Sequence, residues 1–476
     1  MALFAGIALR QNALGQAAPA AAFAQRPCEL SNVSPEGAAR IRCGTVSVPR
    51  NYNNIGAGWF KLAVVVIKSA QQPSLPDPVV YISGGPGGPL TVYAGYQAKH
   101  PYAPRRDLIL VDQRGTGRSE PKLCPDLYHK LVDADIAVAE DATPVTLARR
   151  RKVFAACRDE ATGRGFDLGD FGTRVTVEDF ERVRHALGVE RWNVYGESYG
   201  TTVAMTLAAS HPQHVRSVVL DSVFPPDPMP LRSAVAGGAL DAFFAYCAQQ
   251  RGCSAFFPNL KRTYRKTLDR LRRAPLEVTV PPDGQIRLTA SSFEALIYNL
   301  LFYPPNYPGM PRLIATAHDR ETEDLGPVIA SVIRDFRQQD PALYAAVECR
   351  DRPHLRSPLP NNADSYDREH LNAVCNEWSS LGAPPLLPAN ISVPVLVLEG
   401  QFDPVAGPAL ARRVAETIGK KARFVEFPLI GHNVRAFSRC GAEIASEFID
   451  RPEEAPDTSC VGRIPPIGFL PRYPPP

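Results

Sequence analysis

Beyond residue 24 the sequence lacks any stretch approaching the ~18 uninterrupted apolar residues that a membrane helix needs, so no membrane insertion is expected. It lacks a CxxC pair and any Cys/His cluster with zinc spacing, and neither a metal nor another cofactor is expected. It also lacks a basic block. Its 53 Lys and Arg stand against 49 Asp and Glu, a net charge of +4 spread over 476 residues, which argues against nucleic acid as a partner. No internal repeat is present. What remains is globular in composition, 45% apolar and 21% charged, with one excess: 47 prolines against a usual ~5%, concentrated in connections and at the C-terminus. Long ordered loops follow from that excess.

The ten cysteines fall into sequence-adjacent couples, which suggests a disulfide framework formed in an oxidising compartment. The expected pairs are Cys28–Cys43, Cys124–Cys157, Cys247–Cys253, Cys349–Cys375 and Cys440–Cys460. Residues 1–24 are small and apolar and end in Ala22-Phe23-Ala24, an A-x-A pattern that fits signal-peptidase cleavage before Gln25. No positive charge precedes the apolar run, and Arg10, Gln11 and Asn12 interrupt it. The expectation is a signal peptide and a secreted or periplasmic protein.

Short β-branched runs, Gly44–Pro49, Phe60–Ile67, Pro78–Ser83 and Asp107–Asp112, read as strands, the last two as central strands covered on both faces. Strand Arg191–Tyr195, a small-residue helix Thr201–Ser210 and strand Val215–Asp221 follow. The alternation then breaks down until Pro394 and resumes with strand Val393–Glu399, a helix carrying Leu410, Val414 and Ile418, strand Ala422–Phe427 and a helix Ala442–Ile449. The fold class is therefore α/β, with a mostly parallel sheet split by an inserted, mainly helical cap. The expected divisions are a core over 25–226, a cap over 227–388, a second core part over 389–462, and a proline-rich tail over 463–476.

The sharpest chemical signal is Gly196-Glu197-Ser198-Tyr199-Gly200, a G-x-S-x-G between an expected strand and an expected small-residue helix. In that context Ser198 is a nucleophile on a strained turn, and the flanking glycines avoid collisions with the adjoining strand and helix. A serine hydroxyl needs an imidazole base, and the base needs a carboxylate to fix its tautomer. This scaffold orders them Ser, Asp/Glu, His. Asp403 follows the strand ending at Glu399 and is the expected acid, with Asp221 and Glu399 as rivals; His432, in Gly431-His432-Asn433, is the expected base. The remaining histidines precede the nucleophile, sit in or at the end of helices, or lie in the insert. Two N–H donors must stabilise a developing oxyanion. Tyr199, after the nucleophile, supplies one; Gly85, in Gly84-Gly85-Pro86-Gly87-Gly88, is the candidate for the other.

These residues resemble the α/β-hydrolase serine aminopeptidases, a group that includes proline iminopeptidases and the secreted bacterial tripeptidyl aminopeptidases. The resemblance extends over most of the chain. It is carried by Cys43–Tyr52, Gly84–Gly87, Val111-Asp-Gln-Arg-Gly-Thr-Gly-Arg-Ser119, Gly196–Thr201, Gly400-x-x-Asp-Pro-Val405, Gly431-His432 and Ser438-x-Cys440. It implies the α/β-hydrolase fold, the triad Ser198, Asp403 and His432, and oxyanion donors at Gly85 and Tyr199. It also implies acidic residues that bind a substrate's free ammonium group, a role for which Glu348 and Asp351 are similar to the group's positions. Asp112 and Arg114 are expected to support the oxyanion turn. Ser83 and Pro89 depart from the group's usual residues on either side of that turn.

The expected activity is that of a serine exopeptidase cleaving peptides with a free N-terminus. The alternatives are an esterase or amidase using the same triad on a non-peptide acyl group, and a binding protein of the same fold that has lost catalysis. A serine carboxypeptidase shares the Gly-Glu-Ser-Tyr elbow and the Gly-Gly-Pro-Gly turn but not the segments that follow them.

Overall fold

The computed structural model describes residues 21–30, 33–99, 104–127, 129–131, 144–224, 232–282, 284–336, 339–352, 366–378 and 391–471. Residues 1–20 of the expected leader and 472–476 of the tail lie outside these.

Nine strands form one sheet: β1 (Phe23–Arg26), β2 (Ile41–Pro49), β3 (Trp59–Ile67), β4 (Leu75–Ile82), β5 (Arg106–Val111), β6 (Trp192–Glu197), β7 (Val215–Asp221), β10 (Val395–Gly400) and β11 (Ala422–Phe427). Their order is β1-β2-β3-β5-β4-β6-β7-β10-β11. The first three strands and the β3–β5 pair are antiparallel, and every pair from β5 to β11 is parallel. The central strands are buried over nearly their whole length, as their continuous apolar runs require once helices cover both faces.

The expected strands are all present, with ends shifted by a few residues. The four-residue β1 was not foreseen. It spans the expected cleavage point and pairs with Cys43–Val46 of β2, where the Phe23 ring lies against the bare Cα of Gly44. The final helix begins at Arg439 rather than Ala442, because the Ser438 hydroxyl caps it by accepting from the Gly441 N–H. All five cystines form as expected from sequence order. No helix among the described residues is long and apolar enough to cross a membrane.

Between β7 and β10 the helices Arg232–Gln249, Leu260–Arg273, Ala290–Leu301, Met310–Asp319 and Leu325–Phe336 build a second apolar core with a hairpin, β8 (Leu276–Val280) and β9 (Gly284–Leu288). The hairpin is the part of this segment that a helical expectation missed. Helix Pro341–Asp351 instead packs into the main core, tied to helix Tyr366–Glu377 by Cys349–Cys375. The C-terminal tail lies on the second core: the Leu470 N–H donates to the Pro308 carbonyl, and Phe469 meets Phe243 edge-on at 6.0 Å.

Arg114, 1% exposed, braces the lower part of the main core. Its guanidinium makes two 2.6 Å bonds to Asp179 and donates to the carbonyls of Pro49, Arg50 and Asp170. It therefore ties helix Thr173–Ala186 to the end of β2, and the expected support of the oxyanion turn is not its role. Removing the carboxylate strands a buried cation. Asp179→Ala is expected to cost about 3–5 kcal/mol, read as a lower urea midpoint.

Candidate active site

The elbow is built as the glycine spacing demands. Ser198 has φ 55° and ψ −126°, a left-handed conformation costly for a side-chain-bearing residue. The crowding that enforces it is explicit. A Cβ on Gly200 would stand 2.1 Å from the Ile82 carbonyl oxygen, and one on Gly196 2.4 Å from that of Gly200. The Ser198 N–H donates to the Asp221 carbonyl, and its own carbonyl accepts from the Thr201 N–H and hydroxyl. Helix Tyr199–Ser210 can lie so close to the sheet because nearly all of it is small or apolar and buried.

The structure brings Asp403 and His432 together. His432 Nδ1 donates to Asp403 Oδ2 at 2.8 Å, both side chains being buried. Asp403 Oδ1 accepts from the Val405 and Ala406 N–H groups. This fixes the tautomer and leaves Nε2 as the ring nitrogen for a serine hydroxyl. Burial alone would lower the His432 pKa. The charge and hydrogen bond of Asp403, with the charges of Glu197 and Asp221, outweigh it and hold the pKa above the usual value. Burial likewise presses Asp403 upward, and His432 brings it below the ordinary carboxylate value.

The rivals for the acid have other work. Asp221, wholly buried, accepts from Tyr195 Oη and from the Val434 and Arg435 N–H groups, and so holds the segment that follows His432. Glu399 accepts from the Val223 N–H at 3.0 Å. The Ser222 hydroxyl, between them, accepts from Asn433 N–H at 2.7 Å.

The turn Gly84–Gly88 meets Ser198, and the residue in contact is one that motif reasoning passed over. A Cβ on Gly84 would lie 2.6 Å from Ser198 Cβ, so Gly84 rather than Gly85 makes the close approach. Gly85 follows at φ 117°, a conformation that a bare Cα permits. Tyr199 opens its helix, so its N–H has no helical acceptor. Asp112 receives the N–H groups of Leu90, Thr91 and Arg118, fixing the chain just beyond the turn. Ser83 donates to the Gly88 carbonyl at 3.2 Å, which closes the turn from its other end.

Glu348 and Asp351 are buried side chains on helix Pro341–Asp351, near Tyr199. Asp351 Oδ2 accepts from the Thr173 N–H and hydroxyl, and that hydroxyl meets Tyr199 Oη at 2.8 Å. Asp351 Oδ1 is buried with no hydrogen-bond partner among the described residues. Glu348 pairs with Arg352 at 3.4 Å. Burial pushes the Asp351 pKa up to about 6.

Glu181, His211 and His214 bring potential metal-ligating atoms within 4.8 Å of one another. The Arg184 guanidinium already lies on Glu181, and each histidine pairs with a glutamate. This group sits at the far end of the helix that Ser198 begins.

A family profile described as alpha/beta hydrolase fold matches residues 77–308, and one described as TAP-like protein matches residues 361–460. The chain has the α/β-hydrolase fold. It is 33% identical over 200 residues to the tripeptidyl aminopeptidase of Streptomyces coelicolor, covering 39% of this chain and 36% of that protein. It is 28% identical over 243 residues to the serine protease Hip1 of Mycobacterium tuberculosis, covering 48% of this chain and 45% of that protein. Proline iminopeptidase of Neisseria gonorrhoeae is 29% identical over 148 residues, 31% of this chain and 33% of that protein. The chain thus matches less than half the length of these curated relatives.

Two outcomes follow for the hydrolase. Gly84→Ala pushes a methyl into Ser198 and is expected to lower kcat about 100-fold and to lower the thermal midpoint as well, since the displaced atoms belong to the packed elbow. With His432 as the expected base, its raised pKa predicts that turnover falls with decreasing pH along a limb centred above the ordinary ~6.5, as a pH–kcat/KM profile would record.

Proposed function

We propose that the protein is a serine exopeptidase that removes N-terminal residues or short peptides from substrates with a free α-amino group. The observation that carries this reading is the buried acidic pair Glu348 and Asp351 near Tyr199, the residue after the nucleophile, with Asp351 Oδ1 unpartnered. A desolvated carboxylate makes its strongest hydrogen bonds to a cation, and a substrate ammonium is the cation that such a position suits. The names of the relatives, tripeptidyl aminopeptidase and proline iminopeptidase, point the same way.

In this mechanism Ser198 Oγ attacks the scissile carbonyl while His432 Nε2 takes its proton. The Nδ1–H bond to Asp403 stabilises the resulting imidazolium. The N–H groups of Gly85 and Tyr199 receive the oxyanion. His432 then passes the proton to the leaving amine, and water, deprotonated by the same imidazole, releases the acyl group. The cystine Cys349–Cys375 holds the acidic helix in place. Five cystines with no free cysteine among the described residues favour a compartment outside the reducing cytosol.

The test is a matched panel of Pro-, Ala- and Ala-Ala-Pro-type arylamides, their N-acetylated forms and an aryl ester. Free-amine arylamides should turn over and acetylated ones be spared, with all turnover lost in Ser198→Ala. Asp351→Asn should raise KM for free-amine substrates at least tenfold while leaving fluorophosphonate labelling of Ser198 intact. Turnover of the ester alone would make the protein an esterase on the same scaffold.

A further inference from the structure

Glu399 is the penultimate residue of β10 and 0% exposed, and Asp403 stands on the turn that follows it, its N–H donating to the Gly400 carbonyl, with the two carboxyls close enough to interact. One of its oxygens, Oε2, accepts from the Val223 N–H. The other, Oε1, is buried and has no donor among the described residues. Asp403 is an acceptor with room for one more donor: Oδ1 takes two N–H groups and Oδ2 takes only His432 Nδ1. Two ionised carboxylates face to face in a dry interior repel, and neither can donate. A proton between them turns the repulsion into a short, charge-assisted hydrogen bond.

We infer that Glu399 carries a proton at the working pH and donates it as a hydrogen bond to Asp403, making Glu399 a positioning residue for the catalytic acid. The other neighbours support the assignment. Asp221 on β7 is a further buried carboxyl whose charge disfavours ionisation of Glu399. Glu426, its register partner on β11, is tied to Arg412 at 3.1 Å. From the cap, Tyr307 approaches Asp403 with its hydroxyl bonded to the Leu301 carbonyl. From the elbow and the histidine loop, Glu197 and His432 complete the charged surroundings. Among these groups His432 is the one cation-forming partner of Asp403, so a second full negative charge at Glu399 would have no counter-ion of its own. Burial and the Asp403 charge both push Glu399 well above the ordinary carboxylate value.

The device acts through Asp403. A second donor to Asp403 keeps the carboxylate ionised, fixes its rotation, and tempers its basicity toward the imidazole. The same carboxyl, through Val223, steadies the Asp221–Val223 turn that holds Asn433.

The inference rests on the triad reading for its kinetic arm only, and the closing experiment separates the two. Fluorophosphonate labelling of Ser198 is followed against pH in the wild type, Glu399→Gln and Glu399→Leu, alongside the infrared carbonyl stretch of protonated carboxylic acids at neutral pH. Gln exchanges one neutral donor for another, so Glu399→Gln should label within about twofold of wild type with its acid limb unmoved. Glu399→Leu loses the donor, leaves Asp403 more basic, and should label roughly tenfold more slowly with the acid limb displaced upward. The protonated-carboxyl band of the wild type should lose intensity in both variants.

A downward shift of the acid limb in Glu399→Gln would mean that a negative charge had been removed, and would overturn the inference. So would a wild-type spectrum without the band, or a band undiminished in the variants. If Glu399→Gln does not fold, Glu399→Leu supplies the same spectral difference. A wild type that never labels would defeat the triad reading and leave the infrared arm to decide on Glu399.

Discussion

The catalytic edge depends on the carboxylate of Asp221. It closes four hydrogen bonds with no exposure to water: to Tyr195 on the neighbouring strand, to Ser222 beside it, and to two backbone N–H groups at Val434 and Arg435. The last two bridge more than 200 residues of chain, across the whole cap insertion. A histidine carried on the last loop of a split fold needs several ties, and His432 has its bond to Asp403, its N–H bond to the Phe302 carbonyl and the Asn433–Ser222 bond beside it. Asp221 adds to them by receiving the first two N–H groups of the short helix Val434–Phe437, whose own N-cap is Asn433.

Around that anchor the floor of the site gathers more negative charge than a triad needs. Glu197, Asp221, Glu399 and Asp403 lie together with one histidine and, below them, Arg435 over the rings of Tyr81 and Tyr195. Burial raises the pKa of Glu197, Asp221 and Glu399, whereas Asp403 is the one of the four whose pKa ends below the ordinary value, through His432. The environment thus sorts chemically identical groups into different tasks: one ionised partner for the imidazole and three carboxyls engaged with hydroxyls and backbone. Such sorting raises the energy of any arrangement in which the proton and the base are misplaced.

Much of this was legible in the sequence and some was not. The elbow was readable because a strand, a G-x-S-x-G and a small-residue helix occur in that order, and each is enforced by collisions of a kind that any sequence reader can anticipate. Asp403 and His432 were singled out by chain order, and the fold does bring these two into a hydrogen bond. The choice among Asp403, Asp221 and Glu399 was harder, because all three carboxylates end strands at the same edge and differ only in rotation and neighbours. Gly84 was hidden by its four equivalent glycine and proline companions; only the approach to Ser198 separates them. Strand β1 was hidden by composition, since Phe23–Arg26 reads as the end of a leader and becomes a strand by pairing with β2. The hairpin β8–β9 was masked by the helices around it. Arg114 was misassigned because its motif neighbour Asp112 does serve the turn, while its own long side chain reaches the opposite way to Asp179.

The cystines have a consequence for how the chain matures. Each joins a cysteine to the next one along, over separations of 6 to 33 residues. A polypeptide oxidised progressively from its N-terminus therefore meets the right partner before any wrong one has emerged. Native connectivity is then the kinetic product of synthesis order, reached without thiol–disulfide exchange, although the sheet these loops decorate is completed only when β10 and β11 arrive.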